Sequence, residues 1–339
     1  MNIKIIGSGS AGNHMAYALQ KLTDKIVLTD LSVEALKRSK NKIYIPRYKK
    51  WNKKIDLVIE GDDKNNFYDA IVIASPPNSH LTLIKKNINK SKIFLVEKPI
   101  CEPNKKTIND FEKIINKYKD KVFLCGYNHR LFPSTILLKK ILKQEKNNFD
   151  FMEIKFKENT EGFLKAHNWY KSLSESYLSN SKKGGGALSE HSHGLNLCQY
   201  MLNDDFNFKL INKDIRFLKN NNSNYDESSN LTFSKKNKVI NIFQNFTTKP
   251  TEKEITISGN NFFAKLIYNY KNSNDRIIYY NKKNRLNKIY NFKKKRSDDF
   301  IYEAKHLINT IKQKNIKKSM NILSAENALK TMKLINKIL

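Results

Sequence analysis

The chain has 339 residues, which is enough for two domains that each have a hydrophobic core. Its formal net charge of +31 would ordinarily suggest nucleic acid, but the positive residues are mostly lysines scattered along the sequence, so we favour compositional drift and expect no nucleic-acid partner. No stretch approaches the ~18 apolar residues that span a bilayer, and no cysteine pair has CxxC spacing, so we expect a cytoplasmic protein without membrane, metal or disulfide sites.

The first predicted element is a short apolar strand over residues 3–6, which runs directly into Gly7-Ser8-Gly9-Ser10-Ala11-Gly12 and then into a helical pattern. The first glycine suits a tight turn, the second lets backbone approach a pyrophosphate, and the third permits close packing of helix on strand. The next strand, 26–29, ends in Asp30, about where a carboxylate binds the adenosine ribose. This order predicts a dinucleotide-binding domain; the alternative is a glycine-rich turn in another α/β protein.

Asp30 also bears on the choice of dinucleotide. A carboxylate accepts hydrogen bonds from a ribose 2′-hydroxyl and repels a 2′-phosphate, so NAD is favoured over NADP. Lys37 and Arg38 could soften this preference if they fold back over the adenosine.

Strands and helices continue to alternate up to residue 126. The apolar strand 70–74 ends in Ser75-Pro76-Pro77-Asn78-Ser79-His80, and the strand 92–96 ends in Glu97-Lys98-Pro99. Fully apolar strands are typical of a parallel sheet covered on both faces, and such sheets bind ligands outside the carboxyl ends of their strands. We therefore expect the cofactor to contact these two segments, at Ser75, Pro76, Asn78, His80, Glu97 and Lys98.

From residue 151 the pattern changes to strands of period two with few intervening helices, which indicates an antiparallel sheet. The predicted strands are 151–157, 211–218, 230–233, 239–246, 253–258, 264–268 and 276–280. Two amphipathic helices follow, at 298–311 and 324–338.

A run of three glycines, Gly184 to Gly186, precedes a predicted helix. That helix would carry Glu190, His193 and Asn196 at three-residue spacing on one face, close to a backbone that can approach a ligand. His193 is therefore a candidate for proton exchange, and the alternative is a hydrogen-bonded histidine at a domain interface. His191 points away from that face and is a competing candidate.

Several motifs together resemble the glucose–fructose oxidoreductase / inositol dehydrogenase family. They are Gly7-x-Gly9-x-x-Gly12, Ser75 to His80, Glu97-Lys98-Pro99, Gly126-Tyr127-Asn128-His129-Arg130-Leu131-Phe132 and Gly184-Gly185-Gly186-Ala187-Leu188, in family order across the chain. The segment from His167-Asn168-Trp169 to Tyr177, with Ser192-His193, is similar to a subgroup associated with bacterial surface-sugar biosynthesis.

The resemblance implies an α/β fold: a Rossmann domain with a parallel sheet over 1–126, then a substrate and oligomerisation domain over 127–339. The second domain would have an open, mostly antiparallel sheet, with C-terminal helices packing back on the first. By this resemblance, Lys98 takes the position of the family's catalytic lysine and His193 that of its catalytic histidine, and Asn128 joins the cofactor contacts. The acid three residues before His193, Glu190, and Asn196 after it depart from the common pattern, so their roles in binding substrate are open.

The chemistry that this implies is hydride transfer between nicotinamide and a carbinol or carbonyl carbon of a sugar, sugar derivative or cyclitol. Lys98 and His193 would handle the hydroxyl proton. Arg130, Trp169 and Tyr177 are candidate substrate contacts, although the aromatic residues could equally belong to the core. We expect a homo-oligomer, a dimer or tetramer. The competing function is a non-catalytic protein that senses NAD and a sugar on the same fold.

Overall fold

The computed structural model describes residues 1–64, 67–167, 169–271, 274–313 and 321–339. It divides into two compact units: Met1–Asn128 with Ser297–Asn336, and His129–Arg296 with Lys337–Leu339. Within the described residues, no helix is both long enough and apolar enough to cross a membrane.

The strands, in chain order, are β1 Asn2–Ile6, β2 Lys25–Asp30, β3 Ile55–Ile59, β4 Ala70–Ile73, β5 Ile93–Val96, β6 Val122–Cys125, β7 Phe151–Lys157, β8 Lys209–Asn220, β9 Ser223–Lys235, β10 Lys238–Asn245, β11 Glu252–Gly259, β12 Phe262–Tyr270, β13 Asn274–Asn281 and β14 Leu286–Phe292. The α-helices are α1 Ser10–Leu19, α2 Val33–Arg38, α3 Ile45–Tyr48, α4 His80–Asn87, α5 Lys105–Lys117, α6 Pro133–Gln144, α7 Thr160–Ala166, α8 Ala187–Glu190, α9 His193–Met201, α10 Asp298–Lys312 and α11 Ala325–Ile338.

The described residues of the first unit contain a six-stranded parallel sheet in the order β3-β2-β1-β4-β5-β6. Every residue of β4 and β5 is buried, as expected for parallel strands covered on both faces. The strand order reverses between β1 and β4, which is the point where open α/β sheets bind ligands. The loops that begin at Gly7 and Ser75 follow these two strands.

The second unit is built on an eight-stranded sheet in the order β14-β13-β12-β11-β7-β10-β9-β8. Its neighbouring strands are antiparallel except for the parallel pair β7 and β10. Along β7, Met152, Ile154 and Phe156 are buried and their neighbours are half-buried, so one face of the strand packs against the core. The predicted α/β fold class, a parallel sheet followed by a mostly antiparallel one, is confirmed.

One local prediction is wrong: Glu190, His193 and Asn196 do not lie on a single continuous helix. The chain forms α8, turns at His191 and Ser192, and then forms α9. The Gln244 amide of β10 donates a hydrogen bond to the His191 carbonyl, and the Gly194 N–H also reaches it, at 2.9 Å. In a continuous helix, the His191 carbonyl would accept a hydrogen bond from the N–H four residues later. These two donors take the place of that N–H, so the helix is interrupted at His191.

Candidate functional site

The glycine loop after β1 is shaped by close backbone contacts. A Cβ on Gly12 would lie 1.9 Å from the Gly7 carbonyl oxygen, and Gly7 itself has a φ of +104°. Gly9 differs because a Cβ there would meet no atom within 4 Å. The buried Asn13 amide donates to the Ser8 and Gly9 carbonyls at 2.7 and 2.8 Å, which fixes the loop. The loop is thus rigid where it packs and open at Gly9, where a pyrophosphate would approach.

Asp30, at the end of β2, is tied to this loop. Its Oδ2 accepts hydrogen bonds from the Ser8 N–H and hydroxyl at 2.7 and 2.6 Å, and its Oδ1 accepts one from the Leu31 N–H at 2.8 Å. A carboxylate offers about four lone-pair sites, so these bonds orient Asp30 and leave capacity for a ribose hydroxyl. Ser8 is buried, so it would influence a ligand through its hydrogen bonds to Asp30. Ser10 and Ala11 are the first two residues of α1.

Sequence reasoning missed Arg47 on α3. Its Nη1 donates to the Ser10 Oγ at 2.9 Å and lies 3.2 Å from the His14 Nε2. The His14 ring in turn stacks on Phe300 of α10, with centroids 4.7 Å apart. Arg47 thus places a positive charge beside the N-terminus of α1, which already favours anions. Only the tertiary fold brings these residues together, and we found no signal for it in the sequence.

The loop after β4 is held from inside by His80. Its Nε2 lies 2.8 Å from the Ser75 carbonyl oxygen and its Nδ1 lies 3.1 Å from that of Ile100. Burial lowers the pKa of this imidazole. Because His80 is fully buried while Pro76 and Asn78 are exposed, His80 supports the loop and the other two form its surface.

Lys98 and Glu97 are half-buried at the end of β5, and the Lys98–Pro99 peptide bond is cis. The Glu97 N–H donates to the Ile73 carbonyl at 2.9 Å, which ties this segment to β4 beside the Ser75 loop. Asn128 is buried at the start of a 3₁₀ turn in the same unit. Lys98 therefore projects from a strand end that is anchored to its neighbour.

In the second unit, His193 is the first residue of α9 and is half-buried. Its ring lies 4.3 Å, centroid to centroid, from the ring of His129, a residue that sequence reasoning did not single out. Burial lowers the pKa of His129 well below its usual value, and the charges of His193, Lys294, Lys253 and Arg296 lower it further. His129 belongs to the Gly126-to-Phe132 motif, so its place in that motif was the available signal.

The residues around α8 divide into two groups. The Tyr177 hydroxyl donates to the Glu190 carboxylate at 3.1 Å, so two predicted substrate contacts meet. The His191 ring is instead buried against Phe246, with centroids 5.2 Å apart. Trp169 is half-buried in an aromatic cluster with His167 and Tyr170, and Asn168 lies outside the described residues.

Arg130 and Asn196 contact each other rather than open space. Arg130 is 1% exposed, and its Nε and Nη2 donate to the Asn196 side-chain and backbone oxygens at 2.6 and 3.1 Å. The same guanidinium binds both oxygens of Asp204, at 2.7 and 3.1 Å. This arrangement holds both side chains in one hydrogen-bonded framework, and their contact with substrate stays a prediction.

The glycine run is held by Asp226 of β9. Its Oδ2 accepts the Leu188 N–H at 2.6 Å, and a Cβ on Gly186 would lie 1.9 Å from its Oδ1. Burial raises the pKa of Asp226 to about 7. Sequence reasoning also missed this carboxyl group, which lies forty residues beyond the glycines. No group of three or more His, Cys, Asp or Glu side chains in the described ranges could hold a metal ion.

The first unit of the chain is similar in sequence to a known protein family. Residues 1–129 match the model of an oxidoreductase family with an NAD-binding Rossmann fold. No curated protein matches the chain.

Solved structures match over nearly the whole length. A UDP-N-acetylglucosamine 3-dehydrogenase from Acidithiobacillus ferrooxidans is 12% identical, with a TM-score of 0.71 and 100% of this chain and 96% of that one covered. A 3-ketoreductase from Actinomadura kijaniata, in complex with NADP, is 10% identical, with a TM-score of 0.73 and the same coverage. The transcriptional regulator Gal80p from Kluyveromyces lactis is 15% identical, with a TM-score of 0.72 and 99% and 91% covered. At these identities the likeness concerns the fold.

The resemblance predicted from the motifs is confirmed: residues 1–129 match the oxidoreductase family with an NAD-binding Rossmann fold, and the whole chain shares the two-sheet fold of these solved structures.

Proposed function

We propose that the chain is an NAD(P)-dependent oxidoreductase acting on a CH–OH group of a sugar, sugar derivative or cyclitol. The observation that carries the proposal is the Gly7–Gly12 loop, which is open at Gly9 and tied to the oriented carboxylate of Asp30. The Gly7 and Gly12 contacts hold the loop in the shape that a pyrophosphate requires, so a dinucleotide fits the residues present. The sugar dehydrogenase and ketoreductase with the same fold support a sugar-like substrate.

The bound nicotinamide would supply the hydride chemistry, and the protein would bind, orient and move protons. Ser10, Ala11 and the glycines would hold the pyrophosphate, and Ser8 would support the site through Asp30. Further contacts would come from Ser75, Pro76, Asn78, Glu97 and Asn128. Arg47 would add a positive charge at the same helix N-terminus.

The hydroxyl proton is assigned to Lys98 and His193. Lys98 is half-buried, so its amine can exchange a proton with a substrate hydroxyl in a partly desolvated setting. Burial and neighbouring positive charges disfavour a proton on His129, so the proposed proton exchange is given to the adjacent His193. Tyr177 and Glu190, which form one hydrogen-bonded pair, and Trp169 are proposed to contact the sugar.

A panel of nucleotide sugars, free sugars and cyclitols tests the proposal. Purified protein should quench or shift NADH fluorescence, and one class of compound should give turnover with NAD or NADH. Lys98→Met should abolish turnover and leave NADH binding mostly intact, whereas the control Lys92→Met, at an exposed lysine six residues earlier, should behave as wild type. Turnover in Lys98→Met would remove Lys98 from the mechanism, and absent NADH binding in the wild type would overturn the proposal.

NAD is the proposed cofactor in preference to NADP, on the strength of the Asp30 carboxylate. Asp30→Asn removes the negative charge and keeps an oxygen acceptor, so the affinity ratio of NADH to NADPH should fall, by roughly tenfold. An unchanged ratio would contradict the role given to Asp30.

A second candidate function is a non-catalytic sensor of NAD and a sugar, which the fold of the regulator Gal80p favours. It predicts NADH binding that a sugar strengthens, without turnover of any compound in the panel. A dimer or tetramer in the cytoplasm remains our prediction, and light scattering after gel filtration measures the oligomer.

A further inference from the structure

Helix α10 carries a buried carboxyl group at Glu303. The residue is 0% exposed, and neither of its carboxyl oxygens has a hydrogen-bond partner in the part of the chain that the structure describes. Burial raises its pKa well above the usual value, and the charge of Glu97 raises it further. An isolated buried carboxylate is costly, so this group needs a specific explanation.

Gly126 lies beside both the Glu303 and the Glu97 carboxyl groups. A Cβ built on Gly126 would lie 2.9 Å from the Glu303 Oε1 and 3.1 Å from the Glu97 Oε2. The absence of a side chain at this position therefore makes room for both groups. Gly126 directly follows β6, and its N–H donates to the Val96 carbonyl at 2.8 Å, so the pair lies against the end of β5, next to Lys98.

The charges around Glu303 indicate its protonation state. Glu97 is the charged group whose field raises the pKa of Glu303. On the same helix, Asp299 is also buried, and burial lowers the pKa of His306, whose Nε2 lies 2.8 Å from the Asn321 Oδ1. The half-buried Glu97 carboxylate disfavours a second negative charge on the nearby, fully buried Glu303, so one proton remains on the pair.

We propose that Glu303 and Glu97 share one proton in a carboxyl–carboxylate hydrogen bond, and that this bond fixes the end of β5 from which Lys98 projects. Glu303 is then a positioning residue that acts through Glu97. Its effect on turnover rests on the proposed function, whereas the shared proton does not.

Infrared spectroscopy tests the shared proton directly. At a pH above the value of about 7 that burial gives Asp226, the wild type should still show the carbonyl band of a protonated carboxyl group, shifted in D₂O. Glu303→Gln should lack this band, and the control Glu34→Gln, at an exposed residue, should keep it. Absence of the band in the wild type, or its survival in Glu303→Gln, would overturn the shared proton.

The reactivity of Lys98 tests the positioning role without requiring turnover. Glu303→Leu should change the rate at which an amine-specific acylating reagent modifies Lys98, several-fold by peptide mass spectrometry, and leave the exposed Lys92 unchanged. Glu303→Gln keeps an N–H donor for Glu97 and should restore the wild-type rate at Lys98. Equal rates at Lys98 in all three proteins would overturn the positioning role.

Turnover measurements connect the positioning role of Glu303 with the proposed function. With whichever sugar reacts, Glu303→Leu should lower kcat by roughly tenfold with little change in KM, because only the proton-handling group is displaced. Glu303→Gln should stay within roughly threefold of wild type. If no sugar reacts with the wild type, the proposed function fails, and the infrared and labelling results still decide the carboxyl pair.

Discussion

The rings of His129 and His193 lie 4.3 Å apart, with their planes inclined by 52°. Phe132 and Tyr268 also contact the His129 ring, at 4.7 and 5.2 Å between centroids. Two imidazolium ions at this distance repel each other, and burial and nearby cations lower the pKa of His129. His129 is therefore uncharged at neutral pH.

The lowered pKa of His129 predicts acid sensitivity. In the unfolded protein, His129 takes up a proton near pH 6.5, its ordinary pKa, whereas in the folded protein it does not. The contribution of His129 to the free energy of unfolding is therefore complete above pH 6.5 and is lost as the pH falls below that value. His129→Phe keeps an aromatic ring and removes the titration. The variant should lose less stability than wild type between pH 7 and pH 5, by up to roughly 1.4 kcal/mol per pH unit.

Urea unfolding at both pH values measures this difference. His80 and His306 also have lowered pKa values and will keep part of the slope in both proteins. Parallel curves for the wild type and His129→Phe would contradict the prediction.

Gly9 and Gly12 offer a matched pair of substitutions. Gly9 has an ordinary φ of −73° and open space around its missing side chain, so Gly9→Ala should fold like wild type. It should nevertheless weaken NADH binding by at least roughly tenfold, because the methyl group takes the space that the phosphates need. Gly12→Ala should lower the melting temperature as well, since its Cβ would lie 1.9 Å from the Gly7 oxygen.

Fluorescence titration with NADH and thermal unfolding distinguish the two variants. Wild-type NADH affinity in Gly9→Ala would show that the space beside Gly9 does not hold the pyrophosphate.

Asp226 should make stability depend on pH in the opposite direction to His129. Its folded pKa is raised from 3.8 to about 7, so its contribution is complete below 3.8 and is lost as the pH rises to about 7. Asp226→Asn keeps an oxygen for the Leu188 N–H and does not ionise. It should therefore gain stability relative to wild type between pH 4 and pH 8, on the order of 4 kcal/mol at most.

Chemical unfolding of both proteins across this range is the measurement for Asp226. A difference in unfolding free energy that stays the same at every pH would show that Asp226 does not titrate in the folded protein.

The Arg130–Asp204 ion pair should contribute to stability and leave substrate binding unaffected. Asp204→Asn removes the negative charge that Asp204 places beside the buried guanidinium and should lower the unfolding free energy by roughly 3 kcal/mol. The exposed pair of Lys249 and Glu161 provides the control, since Glu161→Gln should leave the unfolding free energy nearly unchanged. A stable Asp204→Asn variant with a raised KM for sugar would instead place Arg130 at the substrate.

Local patterns in the sequence were sufficient to predict most elements of the first unit. The strand before Gly7, the glycines and Asp30 follow one another within thirty residues, so their geometry depends on short-range chemistry. The break at His191 could not be predicted in this way, because its cause is the Gln244 amide, which approaches from a strand fifty residues later. β14 was also missed, since its exposed edge position leaves no clear apolar alternation.

The same distinction applies to the charged residues. The sequence shows that Arg130 is an arginine within a family motif, but only the fold shows that Asp204 and Asn196 accept hydrogen bonds from its guanidinium group. From the sequence alone, Glu303 is an ordinary polar residue of an amphipathic helix. Only the fold brings Gly126 and Glu97 beside it.

The position of β7 has a consequence for how the second unit folds. β8, β9 and β10 form one local antiparallel ribbon, and β11 to β14 form another, each made of sequence neighbours. The two ribbons join only through β7, whose partners both follow it by more than eighty residues. Loop-closure entropy delays such pairings, so both ribbons should assemble before they close on β7. A slip of one residue there would turn Met152, Ile154 and Phe156 to the wrong face and misalign both ribbons together.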